Sequence, residues 1–188
     1  MTRILCFILW IGTFSNASAQ YAFRNNQFEF SMKEPPGWIK SYVGEPNFRD
    51  DPSYMERIVS FNRFVPNHQQ GFNPSIDVTV EHFGANNSRF MKRYLKASKW
   101  NWPGSHGTYE IIKKPEQVIV NGKTAITCSM QGKLSGHGIS NPYFIQKRVY
   151  FIHVDKHVFK ITFTDAAQTT TYTSLFDILK DSIKINQL

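Results

Sequence analysis

Residues 143–164 read YFIQKRVYFIHVDKHVFKITFT and carry the strongest structural signal in the chain. Two alternating apolar segments flank residues 155–156, which predicts a β-hairpin that turns at this pair. With an even-numbered loop, hydrophobic matching sets the register. The pairs that then share one face are Ile152 with Phe159 and Tyr150 with Ile161. Val149 and Phe151 point to the other face, so we predict a central hairpin in a sheet that is covered on both sides.

A covering helix is predicted immediately after this hairpin. Residues 169–183 place their apolar side chains on one broad arc at 100° per residue and their charged side chains on the other. Before the hairpin, Asn121-Gly122 is the strongest two-residue turn signal in the chain. Residues 75–83 alternate apolar and polar positions as a half-buried strand does. Further extended segments are predicted at 28–30, from 38, and at 57–64, 109–112, 117–120 and 124–131.

A second helix is predicted over residues 87–99, where the apolar residues recur at intervals of three and four residues. Asn87 or Ser88 can cap its first turn. Residues 100–104, which contain Pro103, are expected to stop the helix. One helix in mid-chain and one at the end suit the two faces of a mainly antiparallel sheet. The fold class predicted is α+β, with helices flanking an antiparallel β-sheet as an α/β/α three-layer sandwich.

The first 19 residues predict a secretory signal peptide. Arg3 precedes an apolar run at 4–14, and Ala17-Ser18-Ala19 has the small-x-small pattern of a cleavage site. The run is shorter than the ~20 residues that a spanning helix needs. We expect cleavage near Ala19/Gln20 to leave a soluble protein without a transmembrane segment, made of one domain over residues 20–188.

Charge and cysteine content limit the classes of partner. The chain has 22 Lys and Arg against 14 Asp and Glu, a net charge of +8, and stays basic after the signal is removed. In an exported protein the available anions are lipid head groups, polysaccharides and acidic proteins, so we expect no nucleic-acid partner. Cys6 lies in the signal, which leaves Cys128 without a disulfide partner in the mature chain.

The order of these elements and several local phrases resemble the PsbP/Mog1-like family over residues 28–185. The phrases are Pro35-Pro36-Gly37-Trp38, residues 75–80, residues 120–125, and the closing hairpin and helix over 150–183. The resemblance implies the sandwich fold and a binding role. Members of the family include photosystem subunits, a binder of a small GTPase, chaperones for secreted effectors and exported bacterial proteins of unknown function. Metal contacts described for plant members have no matching residues here.

The most ordered polar feature is one face of the 87–99 helix. Its cations fall within about 120° at 100° per residue, and two tryptophans follow them. These residues are Arg89, Lys92, Arg93, Lys96, Lys99, Trp100 and Trp102. Such a face can dock an anionic partner, with the aromatic residues as an anchor. The simpler alternative is a surface helix that keeps its cations in water while its apolar side covers the sheet.

His153 and His157 are candidates for metal binding, and Cys128 is a candidate nucleophile. With a two-residue turn, His153 and His157 lie on opposite faces of the hairpin, which argues against a preformed metal site; a four-residue loop would reopen that question. Cys128 alternates with Ile126 and Met130 on a strand, which predicts a buried core residue and not a nucleophile.

Catalytic signatures are absent from the sequence. Loops 104–107 and 135–138 lack the spacing of a nucleophile elbow. Residues 122–124 end like a phosphate loop, but Gln117 stands where its first glycine is required.

We therefore predict a non-enzymatic exported binding module, bacterial and periplasmic or secreted, with no cofactor and no metal. Its expected partner is a protein or an anionic component of the cell envelope. One alternative is a secretion or assembly chaperone, which would show an apolar groove or an exposed aromatic patch. Another is a hydrolase or metal-dependent enzyme that uses the 132–142 loop and nearby histidines. The oligomeric state stays open.

Overall fold

A computed structural model describes residues 21–43, 55–64, 73–83, 87–95, 109–134, 143–167 and 171–186. They form a seven-stranded sheet, a three-stranded sheet and two helices. The strands are β1 Ala22–Asn25, β2 Phe30–Lys33, β3 Ile39–Val43, β4 Met55–Asn62, β5 Ser75–His82, β6 Tyr109–Val120, β7 Lys123–Leu134, β8 Tyr143–Val154, β9 His157–Ala166 and β10 Lys184–Ile185. The helices are α1 Asn87–Leu95 and α2 Thr173–Ser182.

The large sheet is antiparallel throughout and runs in the order β3-β4-β5-β9-β8-β7-β6. The β8–β9 hairpin therefore lies inside the sheet, as its two apolar faces predict. Its register is also the predicted one, because Tyr150 pairs with Ile161 and Ile152 with Phe159. A two-residue turn closes the hairpin, and Asp155 takes a positive φ of 51° there.

Each face of this sheet carries its own core, which confirms the predicted α+β sandwich. The α2-side core joins the sheet to α2 and to the small sheet β1-β2-β10; Phe159 of the sheet stacks on Phe30 with ring centroids 5.9 Å apart. The α1-side core contains Phe90 and Tyr94 of α1 and, from the sheet, Ile126, Cys128, Met130, Val149, Phe151 and Val158. Alternation along β7, β8 and β9 supplies both cores from the same strands.

The small sheet was not predicted. Residues 26–29 form a turn in which the Phe28 N–H donates to Asn25 Oδ1 at 3.0 Å, so β2 begins at Phe30 and β1 precedes the turn. Strand β10 then pairs with the other edge of β2. Two-residue strands such as β10 have no periodicity to detect, which is why sequence patterning misses them.

The predicted Asn121-Gly122 turn joins β6 and β7. Both residues have positive φ, 45° and 77°, as a type I′ turn requires. The Asn121 side chain also donates through Nδ2 to the Ile183 carbonyl at 2.8 Å, which ties this turn to the end of α2. The two strands predicted over 109–120 are one edge strand, whose register shifts on either side of Lys113 accommodate Pro115.

Both helices follow the predicted apolar arcs; α2 is shorter than predicted, and α1 is described as far as Leu95. Phe176 and Leu179 of α2 are buried, and Ile183 is buried just after the helix. No helix within the described ranges is long and apolar enough to cross a membrane. The predicted signal peptide of residues 1–19 lies outside the described residues, as do residues 96–108 and 135–142.

Candidate functional site

Helix α1 is held on the sheet by its apolar side. Phe90 is fully buried and stacks on His153 with centroids 5.0 Å apart, and the ring of Tyr94 lies 4.7 Å from that of Phe151. This anchoring directs the opposite side of the helix to solvent. Leu95 was predicted on the apolar side, yet 38% of it is exposed, so the buried stripe is narrower than predicted.

The structure describes three of the seven residues that were predicted to form the cationic face of α1. Arg89 and Lys92 are exposed, and no acidic residue lies in the first turn of the helix. Lys96, Lys99, Trp100 and Trp102 lie outside the described residues. The prediction that all seven form one binding face therefore stays a prediction.

Arg93 has a structural role on this face. Its Nη1 lies 3.4 Å from Glu81 Oε1, and its guanidinium lies over the rings of Phe83 and Tyr94 at 5.4 and 5.3 Å. The Tyr94 hydroxyl donates to the same Glu81 oxygen at 2.5 Å, and burial followed by this bond raises the pKa of Tyr94. The helix itself shows no acid on this arc, but β5 brings Glu81 beneath it. Arg93 thus stabilises the docking of α1 on β5.

The histidines of the central hairpin lie on opposite faces, as the two-residue turn predicts. His153 pairs with Val158 and lies beneath α1, whereas His157 pairs with Val154. The ring of His157 lies 5.8 Å from that of Phe28 and 5.5 Å from that of His82. Burial, followed by the neighbouring His82, lowers the pKa of His157. Across the described ranges, no three His, Cys, Asp or Glu side chains come together to hold a metal ion.

Cys128 is a core residue, as predicted. It is 2% exposed between Ile126 and Met130 in the α1-side core, and burial raises its thiol pKa to about 11. A thiol with this pKa is protonated at neutral pH and is a poor nucleophile. The predicted alternation along β7 was sufficient to identify this environment.

A polar stripe crosses the α1 face of the sheet on β5 and β9. Asp77 accepts hydrogen bonds from the hydroxyls of Ser60 at 2.6 Å and Ser75 at 3.2 Å. Next to it on the sheet, Lys160 has a pKa lowered to about 8, mainly by burial and then by Lys147, with Asp77 among the groups that oppose the shift. Sequence patterning places Lys160 on a polar position of β9 but cannot show that the position is partly buried.

A cleft of about 460 Å³ lies on the opposite face, between α2 and strands β6 to β8. Its floor is polar, with Thr127 and Ser129 from β7 and Gln146 and Arg148 from β8, and Lys180 of α2 forms part of its wall. Sequence reasoning missed this site. The polar residues at every second position look like an ordinary solvent face until the register of β7 and β8 brings them together under a helix.

Comparisons with known proteins agree with this architecture. No protein-family profile and no curated protein sequence matches the chain. Among solved structures, the cyanobacterial PsbP of Synechocystis sp. PCC 6803 is similar with a TM-score of 0.55 at 15% identity, covering 92% of this chain and 96% of that one.

Two further bacterial structures are similar in the same way. A protein of unknown function from Pseudomonas aeruginosa has a TM-score of 0.53 at 12% identity, with coverage of 90% of this chain and 99% of that one. LpqN of Mycobacterium tuberculosis, involved in cell envelope biogenesis, has a TM-score of 0.50 at 12% identity, with coverage of 91% and 87%. At these identities the likeness concerns the fold, and the chain has the PsbP/Mog1-like fold that its sequence predicts.

Proposed function

We propose that the protein is a non-enzymatic, exported binding module that engages an acidic protein surface through the exposed face of α1. The observation that supports this most directly is the geometry of the helix. Phe90 and Tyr94 fix its inner side in the core, and Arg89 and Lys92 are exposed one turn apart on the outer side. A rigid support of this kind lowers the entropic cost of presenting charges to a partner.

Charge complementarity supports the choice of an acidic partner. The chain carries a net charge of +8, and the sequence continues the cationic arc beyond Leu95 with Lys96 and Lys99. A cluster of like charges raises the association rate with an oppositely charged surface, and this effect falls with ionic strength. Because residues 1–19 predict a signal peptide, we expect this encounter to occur outside the cytoplasm.

The test compares two double variants that change charge equally. Arg89→Glu with Lys92→Glu reverses the α1 face, whereas Arg24→Glu with Lys184→Glu reverses two exposed cations of the small sheet. The tagged proteins are expressed in the native host, cross-linked and purified, and their partners are quantified by mass spectrometry. We expect the α1 variant to lose its partners at least about tenfold relative to the control variant.

The same proteins are tested on vesicles of anionic phospholipid to separate the two kinds of partner. Recovery of every partner by the α1 variant at wild-type levels would remove α1 from the binding surface. Loss of vesicle binding with full retention of protein partners would replace the acidic protein by an anionic envelope component.

A further inference from the structure

We propose that the cleft between α2 and strands β6 to β8 is a binding site for a small hydroxylated organic anion of about hexose size. The cleft lies on the α2 face of the sheet, because the intervening residues Ile126 and Cys128 of β7 belong to the α1-side core. It is therefore separate from the α1 face, and either proposal can fail without the other.

The floor of the cleft is polar where a helix-covered sheet face is usually apolar. Closer to the β6–β7 turn, the same face of β7 and β8 carries Ala125 and Ile152, both fully buried. Further along β7, the next two residues on this face are Thr127 and Ser129, which are only 6% and 8% exposed. Polar groups in such a position need hydrogen-bonding partners, and a ligand can use the capacity that remains after the internal bonds are made.

Cations surround this floor. Lys113, Arg148 and Lys180 line the cleft together with one acidic residue, Glu116, in the part of the chain that the structure describes. Glu116 is already paired with Lys113 at the rim, at 2.5 Å. Asp177 and Asp181 of α2 pair with the other two cations, so the affinity for an anion depends on displacing partly exposed ion pairs.

Arg148 already shows that the site accepts an anionic oxygen. Its Nη1 donates to Asp177 Oδ1 of α2 at 2.6 Å, a contact in which the arginine side chain is 25% exposed and the aspartate 50%. A guanidinium has five N–H donors, so one bond to Asp177 leaves donors for a second carboxylate or phosphate. Asp177 would act as an internal competitor that sets the affinity.

Lys180 supplies the second cation from the helix side. It pairs with Asp181 at 2.9 Å, but Asp181 is 70% exposed, and exposed ion pairs exchange readily with other anions. Thr127 donates its hydroxyl to the Val149 carbonyl at 3.0 Å and keeps its oxygen as an acceptor for ligand hydroxyls.

Volume and composition fit a small ligand. A cleft of about 460 Å³ falls in the range of small-molecule sites, which combine apolar walls with a few polar groups that set orientation. Val118 and Val120 of β6 provide apolar wall, and Gln146 and Ser129 provide hydrogen-bonding groups on the floor. Anionic and hydroxyl groups on one ligand would use both sets.

The test is a titration of the folded protein with matched probes, followed by backbone amide NMR shifts and calorimetry. The probes are glucose 6-phosphate, glucuronate, inorganic phosphate and glucose. Saturable shifts at Ser129 and Gln146 with either sugar anion, at a Kd no weaker than about 10 mM, are the expected result. The stronger sugar anion identifies phosphate or carboxylate as the preferred group.

Variants test the roles of the charged groups. Lys180→Gln and Arg148→Gln should each weaken binding at least about tenfold, whereas Asp177→Asn should strengthen it by removing the competitor. Lys114→Gln, an exposed residue of β6 that does not line the cleft, serves as the control. Because Arg148→Gln leaves Asp177 without its partner, Lys180→Gln is the variant of choice if the arginine variant unfolds.

Four outcomes would overturn the proposal. Neither sugar anion produces saturable shifts at the cleft; glucose binds as tightly as both anions; inorganic phosphate binds as tightly as both sugar anions, which removes the requirement for hydroxyls; or Lys180→Gln and Asp177→Asn both bind like the wild type.

Discussion

Replacement of Lys160 by Met should stabilise the fold at neutral pH and change its pH dependence. Lys160 lies on β9, paired with Thr79 on one side and Phe151 on the other. Burial, reinforced by Lys147, lowers its pKa from 10.5 to about 8. A difference of this size means that the charged ammonium costs the folded state about 3 kcal/mol relative to the unfolded chain.

The direction of the pH effect follows from proton binding. Between about pH 8 and pH 10.5 the unfolded chain still binds the Lys160 proton while the folded protein has released it. Stability therefore rises with pH through this window, and the full cost is present below it. Methionine has no proton to lose, so the variant lacks this rise.

The assay is urea unfolding of the wild type and Lys160→Met at pH 7, 8.5, 9.5 and 10.5. The difference in unfolding free energy between the two proteins should change by about 3 kcal/mol across this range, in favour of the variant at pH 7. Lys114→Met removes a lysine from an exposed position and serves as the control. Parallel stability curves for wild type and Lys160→Met, or a variant less stable at every pH, would refute the reasoning.

Three further predictions concern stability. Gly122→Ala forces a Cβ into φ +77° and should cost about 1 kcal/mol in guanidinium unfolding; no loss would contradict the turn geometry. Tyr94→Phe removes the bond to Glu81 and should cost about 2 kcal/mol while accelerating hydrogen exchange in α1; unchanged exchange would contradict its anchoring role. Because the pKa of His157 is lowered in the fold, stability should fall as pH drops below 6.5, and His157→Phe should reduce this loss of Tm between pH 7.5 and 5; an equal loss would contradict it.

The local sequence pattern was sufficient to predict the structure of the central strands. The register of β8 with β9, the type I′ turn at Asn121 and the burial of Cys128 all follow from alternation and turn chemistry within one or two strands. These features depend on neighbours close in sequence. The two covering helices follow in the same way from the apolar arcs of residues 87–95 and 173–182.

Contacts between distant elements were not predictable from these patterns. Arg93 looked like one more solvent-facing cation until β5 placed Glu81 beside it. The cleft required three strands and a helix to converge, with Arg148 and Asp177 meeting across the interface. Such juxtapositions are set by sheet order and packing, which the periodicity of single segments does not contain.

Pairing between β2 and β10 has a consequence for the order of folding. Ser31 lies opposite Lys184 and Phe30 opposite Ile185. The second strand, β2, is therefore completed only when β10 pairs with it. Closing so long a loop is entropically costly until the intervening sheet has formed. The ring of Phe30 therefore lacks its full cover until strands β3 to β9 have paired and β10 has joined β2.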